Sequence, residues 1–167
     1  MTMWFWILFT IVLVFGFVVF RGAPYLPSKS RYAKLALTKL YRLRPDDVLV
    51  DLGSGDGLIL RLASRLGARS IGYELNPVLV LISKLLARGD SRQVTRLADM
   101  WLIDFPPETT VVYVFSVSRD SFKLTDKLQN HVRKHGRKLW CITFGAGLGG
   151  VKPVKNLHAH NLYLFEP

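Results

Sequence analysis

Three carboxylates and a run of glycines are the residues of this sequence best suited to chemistry. Asp51 ends a short apolar run and is followed by GSGDG at residues 53–57, while Glu74 and Asp99 follow the next two apolar runs. Glycines at a strand end permit a tight turn and let a ligand approach the backbone. An acid beside that turn disfavours a pyrophosphate, but it suits a cationic or hydrogen-donating ligand. Glu74, 23 residues after Asp51, is spaced to reach the hydroxyls of a ribose.

The elements that position these residues alternate between strand and helix. Asn76 and Pro77 form an N-cap and first-turn pair that opens one helix, and Gly67 ends another. The predicted strands are 48–52, 70–73, 94–97, 110–115, 139–144 and 161–165, and the predicted helices are 58–66, 77–87 and 121–135. This alternation predicts an α/β fold with a parallel sheet and helices on both faces. The three carboxylates then lie at the carboxyl ends of successive strands, where doubly wound sheets bind ligands.

The sheet is expected to be shortened at its C-terminal end. Only about two dozen residues follow the fifth predicted strand, so we expect one closing strand, 161–165. This strand is predicted to pair antiparallel with 139–144 at the edge of the sheet.

The glycine stretch and its neighbours resemble the class I methyltransferase family. DLGSGDG at 51–57 resembles the cofactor loop of that family, with Glu74 and Asp99 at the matching strand ends. The resemblance implies a Rossmann-like sheet that binds S-adenosyl-L-methionine. It places Gly53 and Gly55 near the methionine part, Glu74 at the ribose and Asp99 at the adenine. The full set of implied cofactor-binding residues is Asp51, Gly53, Ser54, Gly55, Glu74, Leu75, Asp99 and Met100.

A narrower resemblance covers nearly the whole chain. PYLPS at 24–28, GYELNP at 72–77, DMW at 99–101 and VVYVFSV at 111–117 are similar to the membrane-anchored protein-lysine methyltransferases. The eukaryotic members of that family sit in the mitochondrial inner membrane and modify lysines of the adenine nucleotide translocase or of the ATP synthase c-subunit. The resemblance therefore implies methylation of a lysine in a membrane protein. Asp104, or the backbone carbonyls of Phe115 and Ser116, are candidates for orienting the target amine, and no residue stands out as a general base.

The N-terminal segment predicts a membrane anchor. Residues 1–20 carry no charged side chain, and about 20 apolar residues at 1.5 Å each cover a hydrocarbon core of about 30 Å. A cleaved signal peptide is the alternative, but the segment lacks a basic start. Seven basic residues precede the first acidic residue, Asp46: Arg21, Lys29, Arg31, Lys34, Lys39, Arg42 and Arg44. They predict a single-pass protein with its domain on the cytoplasmic or mitochondrial matrix side, and they suit contact with anionic lipid.

The predicted organisation has three parts. Residues 1–21 are the transmembrane anchor, 22–46 a proline-containing connector and basic pre-domain helix, and 47–167 the methyltransferase domain. The net charge of +11 suggests anionic partners, and nucleic acid is one class. We expect no nucleic-acid substrate. The fourth predicted strand is not followed by a pair of hydrogen-bond acceptors next to prolines, which could bind the amino group of a base. Two further interpretations stay open: a lipid headgroup amine methyltransferase, and a non-catalytic membrane module.

The histidines are expected to have no catalytic role and to hold no metal. His131 and His135 lie four residues apart on a helix, a spacing that suits metal ligands, but their neighbours in sequence are basic. A solvated basic helix end is the preferred interpretation. His158 and His160 flank the last strand and are expected to be polar residues at a sheet edge.

Overall fold

The computed structural model describes residues 3–10, 12 and 30–167. Residues 3–10 are helical. The predicted connector at 22–29 and most of the predicted anchor lie outside the described residues. Across the residues that are described, no helix combines the length and the apolar character needed to cross a bilayer.

The described residues form one seven-stranded sheet. Its strands are β1 (Val48–Leu52), β2 (Arg69–Glu74), β3 (Gln93–Leu97), β4 (Val111–Ser116), β5 (Leu139–Gly145), β6 (Lys155–Leu157) and β7 (His160–Phe165). The spatial order is β3-β2-β1-β4-β5-β7-β6. The first five strands run parallel, and β7 pairs antiparallel with both β5 and β6.

Helices cover both faces of the sheet. They are α1 (Ser30–Leu35), which continues as a π-helical turn (Ala36–Leu40), then α2 (Leu58–Arg65), α3 (Pro77–Ala87) and α4 (Ser121–His135), with a 3₁₀ turn (Ser118–Asp120) before α4. Leu49 and Tyr113 pack with α1 and α2 on one face, whereas Val50 and Val112 pack with α4 on the other. The alternation of these neighbours follows from the two-residue period of a strand.

Local sequence signals account for the start of α3 and the end of α4. The Asn76 side chain accepts from the backbone N–H groups of Val78 (2.9 Å) and Leu79 (3.4 Å), as an N-cap does. Gly136 ends α4 with a φ of 62°, a backbone conformation that glycine adopts without steric cost. The basic helix predicted within residues 22–46 ends with the π-helical turn at Leu40.

The prediction of a single closing strand was wrong, and so was its position at the sheet edge. The chain forms the hairpin β6–β7, with His158 and Ala159 between the paired residues Leu157 and His160. The antiparallel pairing with β5 is confirmed, but β7 lies inside the sheet and β6 forms its edge. Strand β6 escaped prediction because it is three residues long and mostly exposed, and because its turn has a positive φ at His158 (54°) instead of at a glycine.

Candidate functional site

The glycine turn after β1 folds over the end of β2. The backbone N–H groups of Gly53 and Ser54 both donate to the Tyr73 carbonyl, at 2.8 and 3.1 Å. Gly53 and Gly55 have φ values of 79° and 55°, which an L side chain rarely adopts. The turn therefore needs these glycines, and it lies at the carboxyl edge of the sheet.

Glu74 ties the glycine turn to the start of α3. Its side chain is 8 % exposed, and its two oxygens accept from the N–H groups of Gly55 and Asn76, each at 2.8 Å. The Glu74 carbonyl in turn accepts from Ala98, at 3.0 Å, which brings the end of β3 beside the end of β2. Glu74 thus links the loops after β1, β2 and β3, the first two through its carboxylate and the third through its backbone carbonyl.

Asp51 is a buried acid at the centre of this edge. It is 3 % exposed, and its neighbours in register on β2 and β4 are Gly72 and Tyr113. Burial raises the pKa of the Asp51 carboxyl well above its usual range, and the negative charges of Glu74 and Asp56 raise it further. A cationic group bound here would reverse this shift, because the ionised carboxylate would gain a partner.

Asp99 opens a tight turn at the end of β3. One carboxylate oxygen accepts from the Trp101 N–H at 2.9 Å, and the Asp99 carbonyl accepts from Leu102 at 3.0 Å. Met100 and Trp101 pack against the core on the α4 face of the sheet. The predicted acids Asp51, Glu74 and Asp99 therefore end three adjacent strands, and Leu75, half-buried, follows Glu74 directly.

The same edge contains polar atoms and free space that the described residues leave unused. The Ser54 and Ser116 hydroxyls are buried and have no hydrogen-bond partner among the described residues. A Cβ built at Gly53 would meet nothing within 4 Å. The Ser54 side chain lies against Gly72 on the α2 side of the sheet, and Gly53 is exposed to solvent. Buried hydroxyls are normally satisfied, so the Ser116 hydroxyl is the polar atom at this edge that a ligand can use.

Two of the three residues predicted to orient an amine lie at this edge. Phe115 and Ser116 end β4, and the Ser116 carbonyl accepts from the Ala146 N–H at 2.9 Å. That carbonyl keeps one further lone pair for an amine. The Phe115 ring contacts Phe144, with centroids 5.7 Å apart, so the end of β4 presents an aromatic wall.

Asp104 lies elsewhere, and its position does not support the predicted role. Its side chain is 79 % exposed and pairs with Lys134 at 2.7 Å, in the last turn of α4. Ser116 lies shortly before the first turn of α4, so a helix length of about 20 Å, at 1.5 Å per residue, separates the two. The hydrogen bond and the charge of Lys134 lower the pKa of Asp104, which is an exposed residue of the β3–β4 loop beside α4.

Asp104 instead lines a basic groove along α4. A cavity of about 350 Å³ lies between this helix and the loop after β3, with Trp101, Lys127 and His131 among its lining residues. Burial and the neighbouring His135 lower the pKa of His131 to about 4, so the ring is neutral and only 9 % exposed, contrary to the expected solvated helix end. Within residues 3–10, 12 and 30–167, no group of three or more metal-ligating side chains is close enough to hold an ion.

A buried Tyr113–His160 pair was missed from the sequence. The Tyr113 hydroxyl lies 2.8 Å from His160 Nε2, and His160 is 1 % exposed, whereas a polar residue at a sheet edge was expected. Burial, with a contribution from His158, lowers the pKa of His160 to about 4. The contact joins residues 47 positions apart, so no local sequence pattern predicts it. The aromatic content of β4 and β5 was the one sequence signal.

Known proteins of similar sequence include lysine methyltransferases. The chain is 36 % identical over 121 residues to an ATP synthase c-subunit lysine N-methyltransferase of Xenopus laevis, a match over 71 % of this chain and 52 % of the relative. It is 39 % identical over 110 residues to the adenine nucleotide translocase lysine N-methyltransferase of Mus musculus, over 64 % and 47 % of the two chains. The chain thus spans about half the length of these relatives. No protein-family model matches it.

The fold is that of known methyltransferases. The crystal structure of an RNA methyltransferase from Salinibacter ruber, solved with S-adenosyl-L-homocysteine, superposes with a TM-score of 0.72 at 26 % identity, and covers 84 % of this chain and 93 % of that one. A geranyl diphosphate C-methyltransferase from Streptomyces coelicolor matches at a TM-score of 0.55 and 27 % identity over 69 % of this chain and 44 % of its own. The predicted resemblance is confirmed: the chain has the Rossmann-like fold of the class I S-adenosylmethionine-dependent methyltransferases and is similar in sequence to the ATP synthase c-subunit and adenine nucleotide translocase lysine N-methyltransferases.

Proposed function

We propose that this chain is an S-adenosylmethionine-dependent methyltransferase that modifies a lysine of a membrane-associated protein. The observation that carries the proposal is the placement of three acids, Asp51, Glu74 and Asp99, at the carboxyl ends of three adjacent strands, with Glu74 bound to the glycine turn. Relatives named as lysine N-methyltransferases support the choice of substrate.

The residues present fit the proposed cofactor. The buried, unpartnered Ser116 hydroxyl and the exposed backbone of Gly53 leave a polar atom and an open approach for a ligand at this edge. Asp51 would accept from the ammonium group of the methionine part, and Glu74 would hold the ribose hydroxyls. When bound, the cofactor supplies a methyl group on a sulfonium sulfur, which an amine displaces in line.

The protein's part in that reaction is mainly alignment and desolvation. A lysine amine must be neutral to attack, and removal from water lowers its pKa. Phe115 and Phe144 form an apolar wall at the end of β4, beside the free lone pair of the Ser116 carbonyl. This edge can therefore desolvate an amine and accept its N–H without a dedicated base.

The membrane location is part of the proposal. Residues 1–20 carry no charged side chain, and basic residues dominate the sequence that follows. An anchor would raise the local concentration of the enzyme around membrane substrates. We place the domain on the cytoplasmic or matrix side of that membrane.

The test is transfer of radiolabelled methyl groups from S-adenosylmethionine into membranes of cells that lack the gene. We expect the full chain to label one or a few membrane-protein bands, with methyl-lysine in their hydrolysate, and the Asp51→Asn variant to leave them unlabelled. Label in the lipid extract would favour the headgroup enzyme, and label in RNA would favour the activity named for the Salinibacter ruber protein. Absence of label from all three fractions would refute the proposed activity.

A further inference from the structure

Helix α3 carries more apolar surface outward than inward. Val80 and Ser83 are its buried residues, and Ser83 contacts Thr95 of β3 through their hydroxyls at 2.6 Å. Five large apolar residues at the helical spacing i, i+3, i+4, i+7 and i+8 are exposed instead: Val78, Leu81, Ile82, Leu85 and Leu86. Leu81 and Leu85 are 59 % and 68 % exposed. An apolar stripe of this kind on a helix normally faces a core, so here it indicates a surface that another phase or molecule covers.

Helices α1, α2 and α3 lie on the same face of the sheet. Thr95, which contacts α3, is in register with Gly72 of β2. A Cβ at Gly72 would meet Leu60 of α2, at 2.7 Å, so Gly72 and Thr95 both point to the α2 side. Helix α1 packs on that face as well. The apolar stripe therefore belongs to a continuous layer of three helices, whereas α4 lies on the opposite face.

The helices of this layer carry basic side chains and no acidic ones. The segments α1, the π-helical turn, α2 and α3 contain no Asp or Glu within the described chain. Their exposed charged residues are Arg31, Lys34, Lys39, Arg65 and Lys84. Helix α4, on the other face, mixes both signs, with Asp126 among its lysines. Two acids in the adjoining loops contact α2, Asp56 through Arg61 and Asp90 through Ser64, so basic side chains predominate in the layer without being its only charges. An apolar stripe within a predominantly basic layer is complementary to an anionic bilayer surface, which offers acyl chains beneath negative headgroups.

We propose that this layer, defined as α1, α2 and α3, docks on anionic lipid, with the α3 stripe inserted among the headgroups. The proposal rests on the membrane location proposed above and adds a second contact to the anchor. Docking of this kind buries the apolar face of a helix about 5–10 Å into the boundary between headgroups and acyl chains. It would bring β3, the edge strand beside α3, and the cofactor edge next to it close to proteins in the bilayer.

The test measures the depth of α3 with a fluorescent label on the full chain. Cys141, the only cysteine of the sequence, is buried, so a cysteine introduced at the surface can be labelled selectively. Leu85→Cys reports on the stripe, and Arg133→Cys on α4 is the control. Both are reconstituted into phosphatidylcholine vesicles, with or without phosphatidylglycerol, that contain a nitroxide lipid quenching near the headgroups.

We expect the label at 85 to lose most of its fluorescence in vesicles with phosphatidylglycerol, and less without it or at high salt. The label at 133 should keep its fluorescence in every case. Equal quenching at both positions, while the chain floats with the vesicles, would overturn docking but leave the anchor intact. If the chain does not float with the vesicles, both the docking and the anchor are overturned. Binding of S-adenosylhomocysteine, measured on the same preparation, reports on the cofactor site alone. A disulfide between two copies through position 85 in vesicles would show that a second copy covers the stripe, and would also overturn the proposal.

Discussion

Replacement of Asp51 by asparagine should stabilise the unliganded protein and weaken cofactor binding at the same time. Burial and the charges of Glu74 and Asp56 raise the pKa of Asp51 well above its usual range. Between the usual pKa of an aspartate, about 3.9, and the raised value, the folded state therefore binds more protons than the unfolded state. The wild type loses stability as the pH rises through this window, at up to about 1.4 kcal/mol per pH unit. The Asp51→Asn variant has no charge to bury at this position, so it should escape this loss.

The same substitution removes the partner of the cofactor's ammonium group. Breaking a buried charge pair costs about 2–5 kcal/mol, which corresponds to a rise of about 30-fold to several-thousand-fold in Kd. The assays are urea unfolding and calorimetric titration with S-adenosylhomocysteine, on the full chain in detergent at pH 7. In the wild type, affinity should also fall as the pH drops through the raised pKa of Asp51, because protonation removes the charge.

Asp56→Asn is the matched control. Asp56 lies in the same glycine turn, but it is half-buried, forms an ion pair with Arg61 at 3.1 Å and accepts from the Leu58 N–H. Its loss should change Kd by no more than about threefold, since partly exposed pairs contribute about 0–1 kcal/mol. A less stable Asp51→Asn variant with unchanged affinity would refute the reasoning, because Asp51 would then be a structural residue.

Three further substitutions test the other contacts. Glu74→Gln turns an amide N–H₂ toward one of the two backbone N–H donors that the carboxylate accepts from. The free energy of unfolding in urea should therefore fall by about 1–3 kcal/mol, and cofactor affinity should fall with it. Unchanged stability would contradict this. Gly53→Ala should cost about 1–2 kcal/mol for its positive φ and weaken S-adenosylhomocysteine binding about tenfold or more, because its Cβ enters the open space; unchanged calorimetric affinity would show that no ligand occupies that space. The wild type should lose stability as the pH falls from 6.5 toward 4. Burial lowers the pKa of His160 and His131 in the folded state, so the unfolded state binds more protons in this pH range. His160→Phe should reduce that loss in urea midpoints at pH 7 and 5, and an unaltered pH dependence would refute the assignment.

The elements around the cofactor edge could be predicted because their signals are local. Apolar runs that end in glycine defined β1 and the turn after it, and the Asn76-Pro77 pair defined the start of α3. The convergence of Asp51, Glu74 and Asp99 followed from topology alone, since parallel strands bring their carboxyl ends to one edge.

The features that were missed depend on contacts between distant parts of the chain. The buried His160 ring pairs with the Tyr113 hydroxyl on β4. The β6–β7 hairpin that carries His160 turns through His158, which has a positive φ, and not through a glycine. Asp104 follows Asp99 closely in sequence, but the loop between β3 and β4 runs along α4 and delivers its side chain to Lys134. The periodicity of apolar residues gives no information about the path of a loop. It also does not tell whether the apolar stripe of α3 faces the core or the solvent.

Hydrogen–deuterium exchange of the full chain, with and without S-adenosylhomocysteine, tests the central claim most directly. The account predicts slower exchange at the backbone amides of three stretches at the carboxyl edge: residues 53–57, 75–79 and 98–101. It predicts no change along α4, which shares only the Trp101 side of its groove with the proposed site. Protection confined to the α4 groove, or no protection at a saturating ligand concentration, would contradict the assignment of this edge as the cofactor site.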